Sequence, residues 1–150
     1  MKLAEALQER ADLNRKIDEL RERLSNNVLV QEGEATMEDP NELIAQLDAA
    51  VARLEELMAR INKTNTATLD GGASVTELIA RRDALRLQSR VYRDAVSQAS
   101  QTARRARGTE IRVLSAVDVR ALQKKADALA QELRQTDNRI QALNWSTELL

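Results

Sequence analysis

The chain has 150 residues, net charge −1, no cysteine, no histidine, no phenylalanine, one tryptophan and one tyrosine. Without Cys or His there are no disulfides, thiolate or imidazole nucleophiles, zinc–thiolate sites or histidine ligands. With so few aromatics the core is aliphatic, which suits close-packed helices better than a β-sandwich or barrel.

From Leu3 an apolar frame runs Leu3, Ala6, Arg10, Leu13, Ile17, Leu20, Leu24, broken only at Arg10. Alternating steps of three and four hold these side chains on one seam of a helix. The spacing predicts a first helix over residues 2–26, ending at Ser25-Asn26-Asn27. Asp39-Pro40-Asn41-Glu42 is a start signal: an N-cap, a proline suited to the first helical position and a glutamate placed to close a capping box. The second helix, residues 40–62, carries Leu43, Leu47, Ala50, Leu54, Leu57 and Ile61, widened by Ile44, Val51 and Met58. A stripe that wide fits a helix packed against two neighbours. Ser74-Val75-Thr76-Glu77 opens a third helix over residues 75–105, and Ser115-Ala116-Val117-Asp118 a fourth over 116–144. The fourth repeats the seam with Leu122, Ala126, Leu129, Leu133, Thr136, Ile140 and Leu143.

These elements predict an all-α fold in one domain, residues 1–150: an antiparallel four-helix bundle of long helices. Val28-Leu29-Val30 and Ile111-Arg112-Val113-Leu114 are β-prone runs in the first and third connectors. In an up-down-up-down bundle these connectors share an end, so residues 28–32 and 110–114 are expected to form a small two-stranded ribbon. The middle connector, with the turn signal Asp70-Gly71-Gly72, is expected at the other end beside Trp145. No apolar run approaches the roughly 18 residues that span a bilayer, and no charged-then-apolar leader opens the chain, so a cytoplasmic setting is expected.

Charge is unevenly spread. Residues 1–62 hold eight basic and fourteen acidic side chains, whereas residues 75–108 hold eight arginines against Glu77, Asp83 and Asp94. On a helical projection the third seam is Leu78, Leu85, Tyr92 and Ala99, with Arg81 turned into it. Arg82, Arg86, Arg90, Arg93, Arg104 and Arg107 fall on one flanking arc. Arg82, Arg86, Arg90 and Arg93 are therefore candidate contacts for phosphate, whose oxygens match the guanidinium fork. The competing reading pairs these arginines with acids such as Asp12, Glu19, Asp48 or Glu55, within or between subunits. The paucity of aromatics for base stacking and the acidic sequence pI of about 5.7 argue against a nucleic-acid binder.

A second candidate is the polar end cluster Asn62, Thr64, Asn65 and Trp145, read either as a small-ligand pocket closed by the indole or as helix-end capping. No catalytic residues, metal ligands or cofactor emerge. Bundle di-metal sites need a Glu-x-x-His spacing, and Gly71-Gly72 lacks the lysine of a phosphate loop.

Met1-Lys2-Leu3-Ala4-Glu5-Ala6-Leu7, Ile61-Asn62-Lys63-Thr64-Asn65, Ala80-Arg81-Arg82-Asp83-Ala84-Leu85-Arg86, Glu110-Ile111-Arg112 with Val117-Asp118-Val119, and Asn144-Trp145-Ser146-Thr147-Glu148-Leu149 resemble a family of short bacterial helical proteins of unknown function. Some members of that family carry the label septicolysin. The resemblance implies no activity or catalytic residues. The label invites a cytolysin reading, but the helices carry charge around most of their circumference, so pore formation is not expected. The expectation is a non-enzymatic structural or interaction protein that forms homo-oligomers through its helical seams, with anion binding by the third helix as the alternative.

Overall fold

A computed structural model describes residues 1–101 and 111–150. Four helices dominate the described residues: α1 (Leu3–Asn27), α2 (Pro40–Ala67), α3 (Val75–Ala99) and α4 (Val119–Ser146). Strands β1 (Leu69–Asp70) and β2 (Ala73–Ser74) lie between α2 and α3. The fold is all-α, as the heptads predict. The chain divides into two compact units, one of Met1–Ser74 with Leu143–Leu150 and one of Val75–Ala142.

In the first unit α1 and α2 pack side by side. The burial of α1 follows its apolar frame residue by residue: Leu3, Ala6 and Leu20 are buried, and Arg10, Leu13, Ile17 and Leu24 are half-buried. Leu3 and Ala6 meet Leu57, Ile61 and Leu149 in one cluster flanked by Leu7 and Leu13. Early α1 thus lies against late α2, which makes the pair antiparallel. Each fully buried leucine or isoleucine contributes about 1.5–3 kcal/mol. Across the pair, the Arg53 guanidinium donates to Glu9 at 2.7 and 3.0 Å.

Local chemistry sets the helix ends. The Lys2 amide donates to the Glu5 carboxylate at 2.7 Å, satisfying a donor at the start of α1. The Asp39 carboxylate accepts from the Asn41 amide at 2.9 Å, with Pro40 at the first helical position. Beyond Asn62, where a helix end was expected, α2 runs on through Asn-Lys-Thr-Asn-Thr to Ala67. The Thr64 and Thr66 hydroxyls donate to the carbonyls four residues back, and Thr64 is fully buried. Tertiary burial therefore overrides the weak helical preference of that run.

The ribbon expected between residues 28–32 and 110–114 does not involve residues 28–32, which carry no strand; Glu110 lies outside the described residues. Asn27 holds this connector instead. Its amide donates to the Arg23 carbonyl at 2.8 Å and its side-chain oxygen accepts from the Glu38 amide at 3.0 Å. The antiparallel ribbon forms in the middle connector, pairing Leu69 with Ser74 and Asp70 with Ala73. Gly71 and Gly72 have φ of 58° and 84°, the left-handed geometry of a two-residue hairpin turn whose twist matches its strands. A second short pairing joins Lys2 to Glu148. There the Leu3 amide donates to the Thr147 carbonyl and the Leu149 amide to the Met1 carbonyl, both at 2.9 Å.

In the second unit α3 and α4 run antiparallel. Arg81 Nε reaches Glu132 at 3.1 Å and Arg82 lies 3.8 Å from Asp137, while Gln88 and Tyr92 share a groove with Lys125 and Leu129 farther toward the start of α4. Helix α4 begins three residues later than Ser115 suggests, because Asp118 is the residue that caps it: its carboxylate accepts from the Ala121 amide at 3.0 Å. Ser115 makes a local turn with Val117 instead. Ala126 and Ile140 are the buried apolar residues of α4, and Leu122, Leu129 and Leu133 are half-buried along the expected seam. Helix α3 is described to Ala99, and Arg104 and Arg107 fall outside the described residues.

Candidate functional site

The arginine face of α3 separates into two parts. The buried line is Val75, Leu78, Leu85 and Ser89, with half-buried Arg82, Tyr92, Val96 and Ala99 in the same heptad frame. Arg82, not Arg81, takes the seam position: its side chain is 21% exposed against 56% for Arg81. Arg82 pairs with Asp83 at 2.9 Å and with Asp137 at 3.8 Å. Arg81 pairs with Glu132, and Arg86 approaches Asp83 only to 3.8 Å. Arg90 and Arg93 are exposed and make no ion pair among the described residues. Of the four arc arginines among the described residues, Arg82 is engaged, Arg86 is exposed with a loose approach to Asp83, and Arg90 and Arg93 face solvent. Sequence projection missed Ser89 and Arg82 as seam members because both are polar; continuing the Val75, Leu78, Leu85 frame by steps of three and four would have reached them.

The polar end cluster is built into the first unit. The Thr64 hydroxyl donates to the Arg60 carbonyl at 2.8 Å and accepts from the Leu150 amide at 3.0 Å. Arg60 Nε donates to the Leu150 main-chain oxygen at 2.8 Å. Thr64 and Arg60 therefore hold the last residues of the chain against α2. Asn62 is exposed and lends its carbonyl to Thr66; Asn65 is half-buried, and Trp145 is 62% exposed. Nearby, Glu148 receives Lys2 Nζ at 2.7 Å and the N-terminal ammonium at 3.2 Å. These hydrogen bonds, Lys2 first, hold its carboxyl below the usual carboxylate range. Arg23 does the same for Glu38, and Arg53 for Glu56.

A third surface was read from the sequence as packing. Ile44, Val51 and Met58 recur at heptad spacing on α2 but are 42%, 46% and 47% exposed. They lie about 40–60° around the helix from Leu47 and Leu54, outside the line that meets α1. Asp48 and Glu55, both exposed and free of ion pairs among the described residues, border this row. Among the described residues no group of three or more acidic side chains is placed to hold a metal ion, and no helix is long and apolar enough to cross a membrane.

An all-α chain of long amphipathic helices is the class these features define. The chain belongs to a family of unknown function, DUF6847, whose model matches residues 10–149. It is similar to a functionally unknown conserved protein from Corynebacterium diphtheriae, known from a crystal structure. The two are 38% identical, the match covers 100% of this chain and 99% of that one, and the TM-score is 0.89. No curated protein matches the chain.

Proposed function

We propose that this protein is a non-enzymatic helical interaction module that associates with further copies of itself through the α2 row Ile44, Val51 and Met58. The supporting observation is the half-exposure of three large apolar side chains at strict heptad spacing on a helix whose other seam is already filled by α1. One apolar line per helix is enough for a helical pair; a second line at the same period is what a further helix uses. Scattered exposed leucines need no explanation, but a periodic row does. A chain without histidine or cysteine, whose buried side-chain polar atoms all have partners among the described residues, also suits binding better than catalysis. The membrane-lytic reading attached to the septicolysin label gains nothing from these helices.

Sedimentation velocity at micromolar concentration tests the proposal. The wild type is expected at a multiple of 16.8 kDa, and Val51→Glu with Met58→Glu at the monomer mass with helicity unchanged. A wild type that stays monomeric across that range defeats it.

A further inference from the structure

The α2 row is part of a wider face of the α1–α2 hairpin. Ile44, Val51 and Met58 lie about 100° around α2 from its buried line of Leu43, Ala50, Leu57 and Ile61, and Arg53 lies about 60° to the other side of that line. Arg53 bonds Glu9, so these two mark the opposite face of the hairpin. On α1, Leu7, Arg10, Asn14 and Ile17 lie to the side of the buried line away from Glu9 and share the face with the row. Arg10, the one break in the α1 frame, is half-buried and makes no ion pair among the described residues. The other charges on this side of α1 are Arg21 and Asp18, 3.7 Å apart. Asp48 and Glu55 stand on the far edge of α2, exposed and also without ion pairs among the described residues. Because Glu9 is level with Arg53, Arg10 is level with the interval from Asp48 to Glu55, which spans about 10.5 Å along the helix. One hairpin thus carries an unpaired base and two unpaired acids at one height, on either side of an apolar strip.

Two copies stack face to face about a two-fold axis that runs either across or along the helices. With the axis across them, α2 lies antiparallel on its own copy and Asp48 falls beside Glu55 of the other chain, where like charges oppose contact. With the axis along them, α2 of each copy lies in the other's α1–α2 groove. The rows then point inward, and the acidic edge of each α2 overhangs α1 of the other copy. We infer that the occupant of the α2 row is α2 of a second copy, parallel to it in that groove, with Arg10 of each chain between Asp48 and Glu55 of the other. This rests on the self-association proposed above and names its geometry. The contact is isologous and closes at two copies. Its charges set orientation and register, while the apolar row supplies most of the buried area.

Charge exchange tests it. The wild type is expected at twice 16.8 kDa by sedimentation. Arg10→Glu, and separately Asp48→Lys with Glu55→Lys, each weaken dimerisation at least about tenfold, with circular dichroism confirming that both remain helical. An equimolar mixture of the two variants regains it, because in the mixed dimer every reversed charge meets its complement. If both variants are helical and the mixture stays monomeric, the inference fails. If Arg10→Glu dimerises like wild type while Val51→Glu with Met58→Glu is monomeric, Arg10 faces no acid of a second copy: this inference fails and self-association stands. A monomeric wild type removes both readings. A second measurement leaves the charges untouched. The chain has no cysteine, so Ile44→Cys and Met58→Cys place thiols at the two ends of the row. In the parallel arrangement a short bismaleimide joins two Ile44→Cys copies, or two Met58→Cys copies. In the antiparallel arrangement it joins one of each, and a mixed product that exceeds both like products overturns the assignment.

Discussion

Thr64 shows how much one side chain can organise. It is fully buried and its hydroxyl both donates and accepts, joining the Arg60 carbonyl to the Leu150 amide. Thr64→Val keeps the shape and removes both bonds. The Leu150 amide then has no acceptor, so the change should cost about 1–3 kcal/mol in denaturant unfolding. Glu148 is the polar counterpart at the same end of the chain. Its carboxyl is held below the usual range by Lys2 and the N-terminal ammonium. The folded state binds that proton less tightly than the unfolded state does. The stability this contributes is therefore full above the unfolded pKa of about 4.3 and is lost as pH falls through the lower folded value. Thermal unfolding of wild type and Glu148→Gln should differ at pH 7 and converge in acid. A difference that is constant with pH would mean the carboxylate charge plays no part.

At the scale of elements, the two ends of α2 are fixed by different forces. Its start is local: Asp39→Ala removes the cap and should cost about 1 kcal/mol. Its middle is tertiary: Leu57 sits in the cluster with Leu3, Ala6 and Ile61, and Leu57→Ala should cost about 2–5 kcal/mol. Chemical denaturation of the two variants checks both magnitudes, and equal losses would contradict this division. The same contrast explains what was legible in the sequence. The seams of α1 and α4 could be read almost side chain by side chain, because each apolar residue at heptad spacing is buried or half-buried. Asp39-Pro40 marked its boundary because capping is a contact over two or three residues. The far end of α2 was misjudged because burial of Thr64 depends on a residue 86 positions away. The ribbon was misplaced for a related reason. Val28–Val30 has strand-prone residues, but the turn that follows at Gln31–Glu34 brings no strand against them, whereas Gly71-Gly72 supplies the left-handed φ angles that close Leu69–Asp70 on Ala73–Ser74. For the candidate surface, the arginines on α3 were legible as a face. Which of them are engaged was not, because Glu132 and Asp137 come from a helix some fifty residues on.

For the molecule as a whole, the two compact units differ in how they are held. The first has a dense apolar cluster, two short antiparallel pairings and the Thr64–Arg60 hold on the chain end. In the second, the described part of α4 buries Ala126 and Ile140 but leaves its leucines half-exposed. Among its cross-helix contacts are the Arg81–Glu132 ion pair at the surface and the half-buried approach of Arg82 to Asp137; a surface ion pair contributes about 0–1 kcal/mol. Opening free energy follows buried apolar packing more than surface charge, so the two units should exchange amide hydrogens at different levels. Native-state exchange is expected to give the slowest amides in α1 and α2 around Ala6 and Leu57, and faster exchange through the middle of α4. If exchange is uniform across all four helices, opening is a single global event and the unit boundary at Ser74 carries no energetic meaning. The measurement also bears on association. Covering of the Ile44, Val51 and Met58 row by a second copy should raise protection near the start of α2, around Ile44, as concentration increases and leave the Leu57 region, already near the global limit, unchanged. Protection that does not change with concentration anywhere on α2 would count against self-association through that row.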